Sequence, residues 1–170
     1  MNKSSLIKTL KNLMLFFISL TIISCTENEE PTPPDIPINQ LLSAPDTISI
    51  DSRKIYLSTY MWRDFQPISP PDGKPLTALI YITAKDTLNI KNLITADALW
   101  IVYNNQVWKT WLSDEIVPEN ELMPNRIVKI ARNGPKWGPN VTVDVIVRIF
   151  NNKGNSYLLK ASNQRINRTD

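Results

Sequence analysis

The stretch VTVDVIVRI, residues 141–149, constrains the fold more than any other part of the chain. Val141, Val143, Val145, Val147 and Ile149 fall on one side of an extended backbone. Thr142, Asp144 and Arg148 fall on the other. Alternation of this kind is the mark of a strand with one buried face. FNNKGN follows, and Gly154 in it suits the positive φ of a tight turn. SYLLKAS then returns, so residues 141–162 are expected to form a β-hairpin.

The same period recurs along the chain. Strands are expected at DTISI (46–50), KIYLSTYMW (54–62), LTALIYITA (76–84), ALWIVY (98–103), QVWKTWL (106–112) and NRIVKIA (125–131). Asn104-Asn105 fits a second tight hairpin. ALWIVY is apolar on both faces, which places it at the centre of a sheet with Trp100 in the core. SDEIVPENELM (113–123) has room for a single helical turn before Pro118 interrupts it. With no long amphipathic helix, the expectation is all-β: one antiparallel β-sandwich of seven to nine strands over residues 45–170. ALWIVYNNQVW resembles the tryptophan-bearing central strand and following hairpin of immunoglobulin-like domains, and VDVIVRIFNNKGNSYLLKA resembles their closing hairpin. The resemblance implies an immunoglobulin-like topology, without the cysteine pair of antibody-type domains.

Composition narrows the chemistry. The chain has no histidine, which removes the commonest general base and metal ligand and every Ser-His or Cys-His arrangement. Its single cysteine, Cys25, excludes an internal disulfide and cysteine-rich zinc sites. The acids Asp114/Glu115 and Glu119/Glu121 crowd into one loop, with no second carboxylate assigned across a cleft as glycoside hydrolysis requires. No Asp-rich loop of calcium-binding spacing occurs. The sequence is therefore read as a non-enzymatic protein with no cofactor and no metal site.

The first thirty residues read as an address. MNKSSLIKTLKN is basic, and LMLFFISLTII (13–23) is apolar but shorter than the about 20 residues a membrane-spanning helix needs. That pattern suits a secretory signal, residues 1–24. IISC resembles the bacterial lipobox, which implies cleavage after Ser24 and a diacylglycerol thioether on Cys25. Acyl chains at about 0.8 kcal/mol per buried methylene would anchor the protein to a membrane. Residues 25–44 follow as a tether. Pro31, Pro33, Pro34 and Pro37 favour an extended form, and Glu27, Glu29 and Glu30 resemble the export signals of surface lipoproteins in Bacteroidota. The expected location is the outer membrane, on its periplasmic or cell-surface side, with the surface preferred.

Without the leader's Lys3, Lys8 and Lys11, 16 bases face 16 acids, so the +3 charge belongs to the leader. The neutral remainder argues against nucleic acid as a partner. The nine bases of residues 126–170 read as a solvated edge more readily than as a polyanion site.

Candidate ligand contacts rest on tryptophan, whose flat face binds sugars and protein surfaces. Trp137 lies in RNGPKWGPN, a loop stiffened by Pro135 and Pro139. It fits first a plug for the end of the sandwich and second a ligand platform. Trp108 and Trp111, three apart on one strand, face opposite sides of the sheet, so one of them is available for exposure. The proline-rich loop 63–74 is a further candidate contact, with Arg63 and Asp64 anchoring its turn. The expected role is a lipid-anchored binding or accessory module for a glycan or an envelope protein, with a structural spacer or assembly subunit as the alternative.

Overall fold

A computed structural model describes residues 31–116, 118 and 123–170. Its elements are α1 (Ile38–Leu42), β1 (Thr47–Ile50), β2 (Arg53–Asp64), β3 (Leu76–Ala84), β4 (Ile94–Tyr103), β5 (Gln106–Trp111), β6 (Ser113–Asp114), β7 (Arg126–Gly134), β8 (Thr142–Asn151) and β9 (Ser156–Thr169). The fold is all-β. Each strand expected from period-two alternation is present, and β3 occupies the expected residues 76–84. β6 was not foreseen.

The nine strands form one sheet, in the order β5-β4-β8-β9-β2-β3-β7-β6, with β1 paired to β2 off this path. The expected sandwich is therefore one sheet curled on itself into a near-barrel. The two ends of the path, β5 and β6, are separated in the chain by Leu112 alone. The expectation of a purely antiparallel arrangement is corrected at one seam. β9 runs antiparallel to β8 from Ser156 to Arg165, but Ile166–Thr169 pair in parallel with Met61–Asp64 of β2. Asn163, with φ of 54°, marks a bulge in the β8 ladder, and the change of partner comes after Arg165. One long strand thus joins both halves of the sheet. β1 occupies the other half of the same β2 edge, pairing Thr47–Ile50 with Tyr56–Arg53.

Inward residues alternate as the sequence implied. Ile55, Leu57, Met61, Ile80, Ile82, Leu99, Ile101, Val145, Val147 and Ile149 fill the interior. The two-sided apolarity of β4 has a separate explanation. Ala98, Trp100 and Val102 face outward and form a second cluster with Ile146, Leu41 and Ala44. Leu41 and Ala44 belong to the stretch assigned to the tether. There the chain is a strap lying on the sheet. Pro33 is buried, Ile36 and Ile38 pack on the cluster, and Leu41 is wholly enclosed. Pro37 starts α1, and its carbonyl accepts from the Gln40 and Leu41 amides at 2.9 and 3.0 Å. The Trp100 indole donates to the Pro34 carbonyl at 3.2 Å, and Lys109 pairs with Asp35 at 2.6 Å. Lys160 donates from its side chain to the Leu42 carbonyl and from its amide to the Pro45 carbonyl. Burying the outer face of β4 removes an apolar row from water and so favours the folded state.

Candidate functional site

At one end of the near-barrel the loops 65–75 and 135–141 meet the β4–β5 turn. Arg63 organises this end. It sits at the inward-facing end of β2, 3% exposed. Its Nε donates to the Lys74 carbonyl at 3.0 Å, and its Nη1 to the carbonyls of Lys136 and Gly138 at 3.0 and 2.5 Å. Its Nη2 donates to the Asp72 carbonyl. One planar guanidinium thus clamps two loops through four carbonyls, a geometry its five fixed donors suit. Burial pushes its pKa down, and the nearby Asp72 charge opposes that. Two ion pairs reinforce the clamp, Lys74–Asp64 and Lys136–Asp72, each at 2.6 Å. Hydrogen bonding from Lys74 holds the Asp64 carboxyl below its ordinary range, and Lys136 does the same for Asp72. The expected anchoring role of Arg63 and Asp64 is what the geometry shows. Phe65 packs where a Cβ on Gly73 would sit, and the guanidiniums of Arg63 and Arg168 approach its ring at 5.0 and 4.1 Å.

Trp137 stands on this clamped base. Its indole Nε1 donates to Gln106 Oε1 at 2.9 Å, and its ring lies 5.5 Å from that of Tyr103, tilted by 45°. It is half-buried and packs against the main core, so it closes the barrel end while part of its surface faces water. The expected plug is what the packing of Trp137 shows. Trp108 is on the inner face of β5 and fills the gap to β7: a Cβ on Gly134 would come within 2.7 Å of its ring. Side-chain packing there stands in for the hydrogen bonds that join neighbouring strands elsewhere. Trp111 faces outward, 41% exposed. The Arg148 guanidinium lies 5.7 Å from its ring centre and 5.2 Å from that of Phe150, while pairing with Asp97 at 2.7 and 2.9 Å. The three tryptophans proposed for ligand contact therefore do not converge: Trp108 is structural, and Trp111 lies on a different face from Trp137. Cys25 and Ser24 lie outside the described residues.

Three features escaped the sequence reading. Tyr60 and Trp62 stack at 5.4 Å on the outer face of β2, with Tyr60 45% exposed. Their spacing of two on one strand was the available signal. A cavity of about 340 Å³ opens between the start of β4 and β7, with Ile94, Ile127 and Met123 among its apolar walls. The charges at its rim are largely consumed internally: Lys129 pairs with Asp114 at 2.7 Å and Glu115 with Arg132 at 2.9 Å. A smaller crevice of about 210 Å³ lies beside the β4–β5 turn, lined by Asn104, Asn105, Asp144 and Asn163 among others. Among the described residues, no group of three His, Cys, Asp or Glu side chains is placed to hold a metal. No family model matches the chain, and no curated protein or solved structure shows significant similarity to it.

Proposed function

We propose that this protein is a lipid-anchored cell-envelope lipoprotein acting as a non-enzymatic binding module, with the Trp137 end of the domain as its contact surface. The leader, the small Ser24 and the position of Cys25 support the anchor. The lack of histidine supports a binding role over a catalytic one. One observation carries the choice of surface. An indole is held rigidly by Gln106 and Tyr103 at the rim of loops that a buried arginine has already ordered. A pre-ordered aromatic loses little entropy when a ligand arrives. The immunoglobulin-like reading of the topology belongs to the same proposal. It is supported by the two antiparallel runs β5-β4-β8-β9 and β2-β3-β7-β6, which meet at the short parallel pairing of β9 with β2. The proposed location is the outer membrane, with the cell surface preferred.

Two experiments test this reading. Labelled palmitate should enter the wild-type protein and not Cys25→Ser, and the variant should leave the membrane fraction. Label retained by Cys25→Ser would remove the anchor from the proposal. For the surface, a photo-crosslinker placed beside Trp137 should capture a glycan or envelope protein on intact cells. Equal capture from a position on β1 would show the surface to be wrongly chosen.

A further inference from the structure

We infer that the crevice beside the β4–β5 turn is a subsite for a neutral sugar ring, and that it works with Trp137 across that turn. The inference rests on the binding role proposed above and specifies its ligand class. At about 210 Å³ the crevice is smaller than the about 300–1,000 Å³ of pockets for drug-sized ligands. It suits one ring of an oligosaccharide and not a whole chain.

Its chemistry is that of a polyol site. Asn104, Asn105 and Asn163 each offer an amide that both donates and accepts, and Thr142 adds a hydroxyl. Asp144 is half-buried. Its Oδ1 accepts from the Asn163 backbone N–H at 3.1 Å, and among the described residues it has no cationic partner. A carboxylate in that position accepts strongly from hydroxyl donors, because charged acceptors form the stronger hydrogen bonds. Leu42 and Val102 supply the apolar side that a sugar's C–H face requires.

The charge selects among glycans. Among the described residues no lysine or arginine lines the crevice, so Asp144 would repel an acidic sugar. A lone carboxylate also falls short of the several converging oxygens a calcium ion takes. The backbone is pre-set: Asn104, Asn105 and Asn163 have φ of 46°, 62° and 54°, which fixes where their side chains start. Gln106 follows the turn directly and holds Trp137. A glycan crossing the turn would place one ring in the crevice and a neighbouring ring against the indole.

The test titrates the full-length protein in detergent micelles with neutral gluco-, manno- and xylo-oligosaccharides and with an oligogalacturonate. Tryptophan fluorescence and calorimetry report binding. Saturable binding of a neutral oligosaccharide is expected, weakened about tenfold or more by Asp144→Ala. Asp144→Asn keeps an acceptor for the Asn163 backbone N–H and should fall between the two. Trp137→Ala should weaken binding as well. If Trp137→Ala abolishes binding while both Asp144 variants keep wild-type affinity, the crevice is wrong and the Trp137 surface stands. Tighter binding of the oligogalacturonate overturns the inference. So does an absence of oligosaccharide binding, which leaves the broader reading to the crosslinking result at Trp137.

Discussion

A single guanidinium decides the order of one end of this molecule. Arg63 satisfies four backbone carbonyls on two loops that would otherwise need water. Arg63→Met should cost about 2–4 kcal/mol in urea unfolding, from four acceptors losing a charged donor. Arg63→Lys should recover little of it, because an ammonium cannot span the same fork. A loss below about 0.5 kcal/mol in Arg63→Met would show that the clamp is not a structural centre. Gly134 makes a second, purely steric demand. Gly134→Ala should cost about 1–3 kcal/mol by pushing on the Trp108 ring, and less in a Trp108→Leu background. Equal losses in both backgrounds, measured by thermal unfolding, would show that Trp108 is not the obstacle. At this scale the sequence was informative about Trp100, whose burial follows from the apolar residues on both sides of it. It was silent on Gln106 and Tyr103 as supports for Trp137, because those contacts join residues 31 and 34 positions apart.

Among the elements, the strap shows most clearly where local reading stops. Four prolines within residues 31–37 favour an extended chain, and nothing in their spacing reveals that Leu41 and Ala44 cover Trp100. The counterpart signal was present on β4, where apolar outward residues need a cover, but it did not say which segment provides it. The C-terminal half of β9 was missed for a related reason. SNQRINRT has no apolar alternation, since it is held by pairing to β8 at Gln164 and Arg165 and to β2 from Ile166 on, and of its residues only Ile166 enters the core. The strands with one dry and one wet face were legible throughout. The strap's cluster is distinct from the main core, so it should detach before the sheet unfolds. Leu41→Asp should raise amide exchange across residues 36–44 and shift Trp100 emission to the red, with β8 and β3 still protected. Simultaneous loss of protection in all three regions would show that strap and sheet unfold as one unit.

For the molecule as a whole, ion pairs between loops set its response to acid. Asp86 is held below its ordinary range chiefly by hydrogen bonding from Arg53, as Asp64 is by Lys74 and Asp72 by Lys136. A depressed carboxyl adds stability above its unfolded pKa of about 3.9, and that stability is lost as pH falls through the lower folded value. Stability should therefore be flat from neutral pH down to about 5 and decline below about 4. In an Asp64→Asn, Asp72→Asn, Asp86→Asn variant the decline should be shallower. An identical acid limb would assign the loss to other carboxylates.

The single residue between β5 and β6 has a consequence for how the protein behaves in a crowd. A curled sheet that stops short of closure leaves two raw margins, each able to recruit a strand from a neighbour. Here the chain itself steps from one margin to the other through Leu112, and β6 covers two residues of the β7 edge, Lys129 and Ile130. Connectivity is thereby expected to limit edge-to-edge growth at this seam. Inserting Gly-Ser-Gly-Ser after Leu112 should let the margins part and raise light scattering at high protein concentration. A variant that stays monodisperse would show that the step at Leu112 is not what guards them.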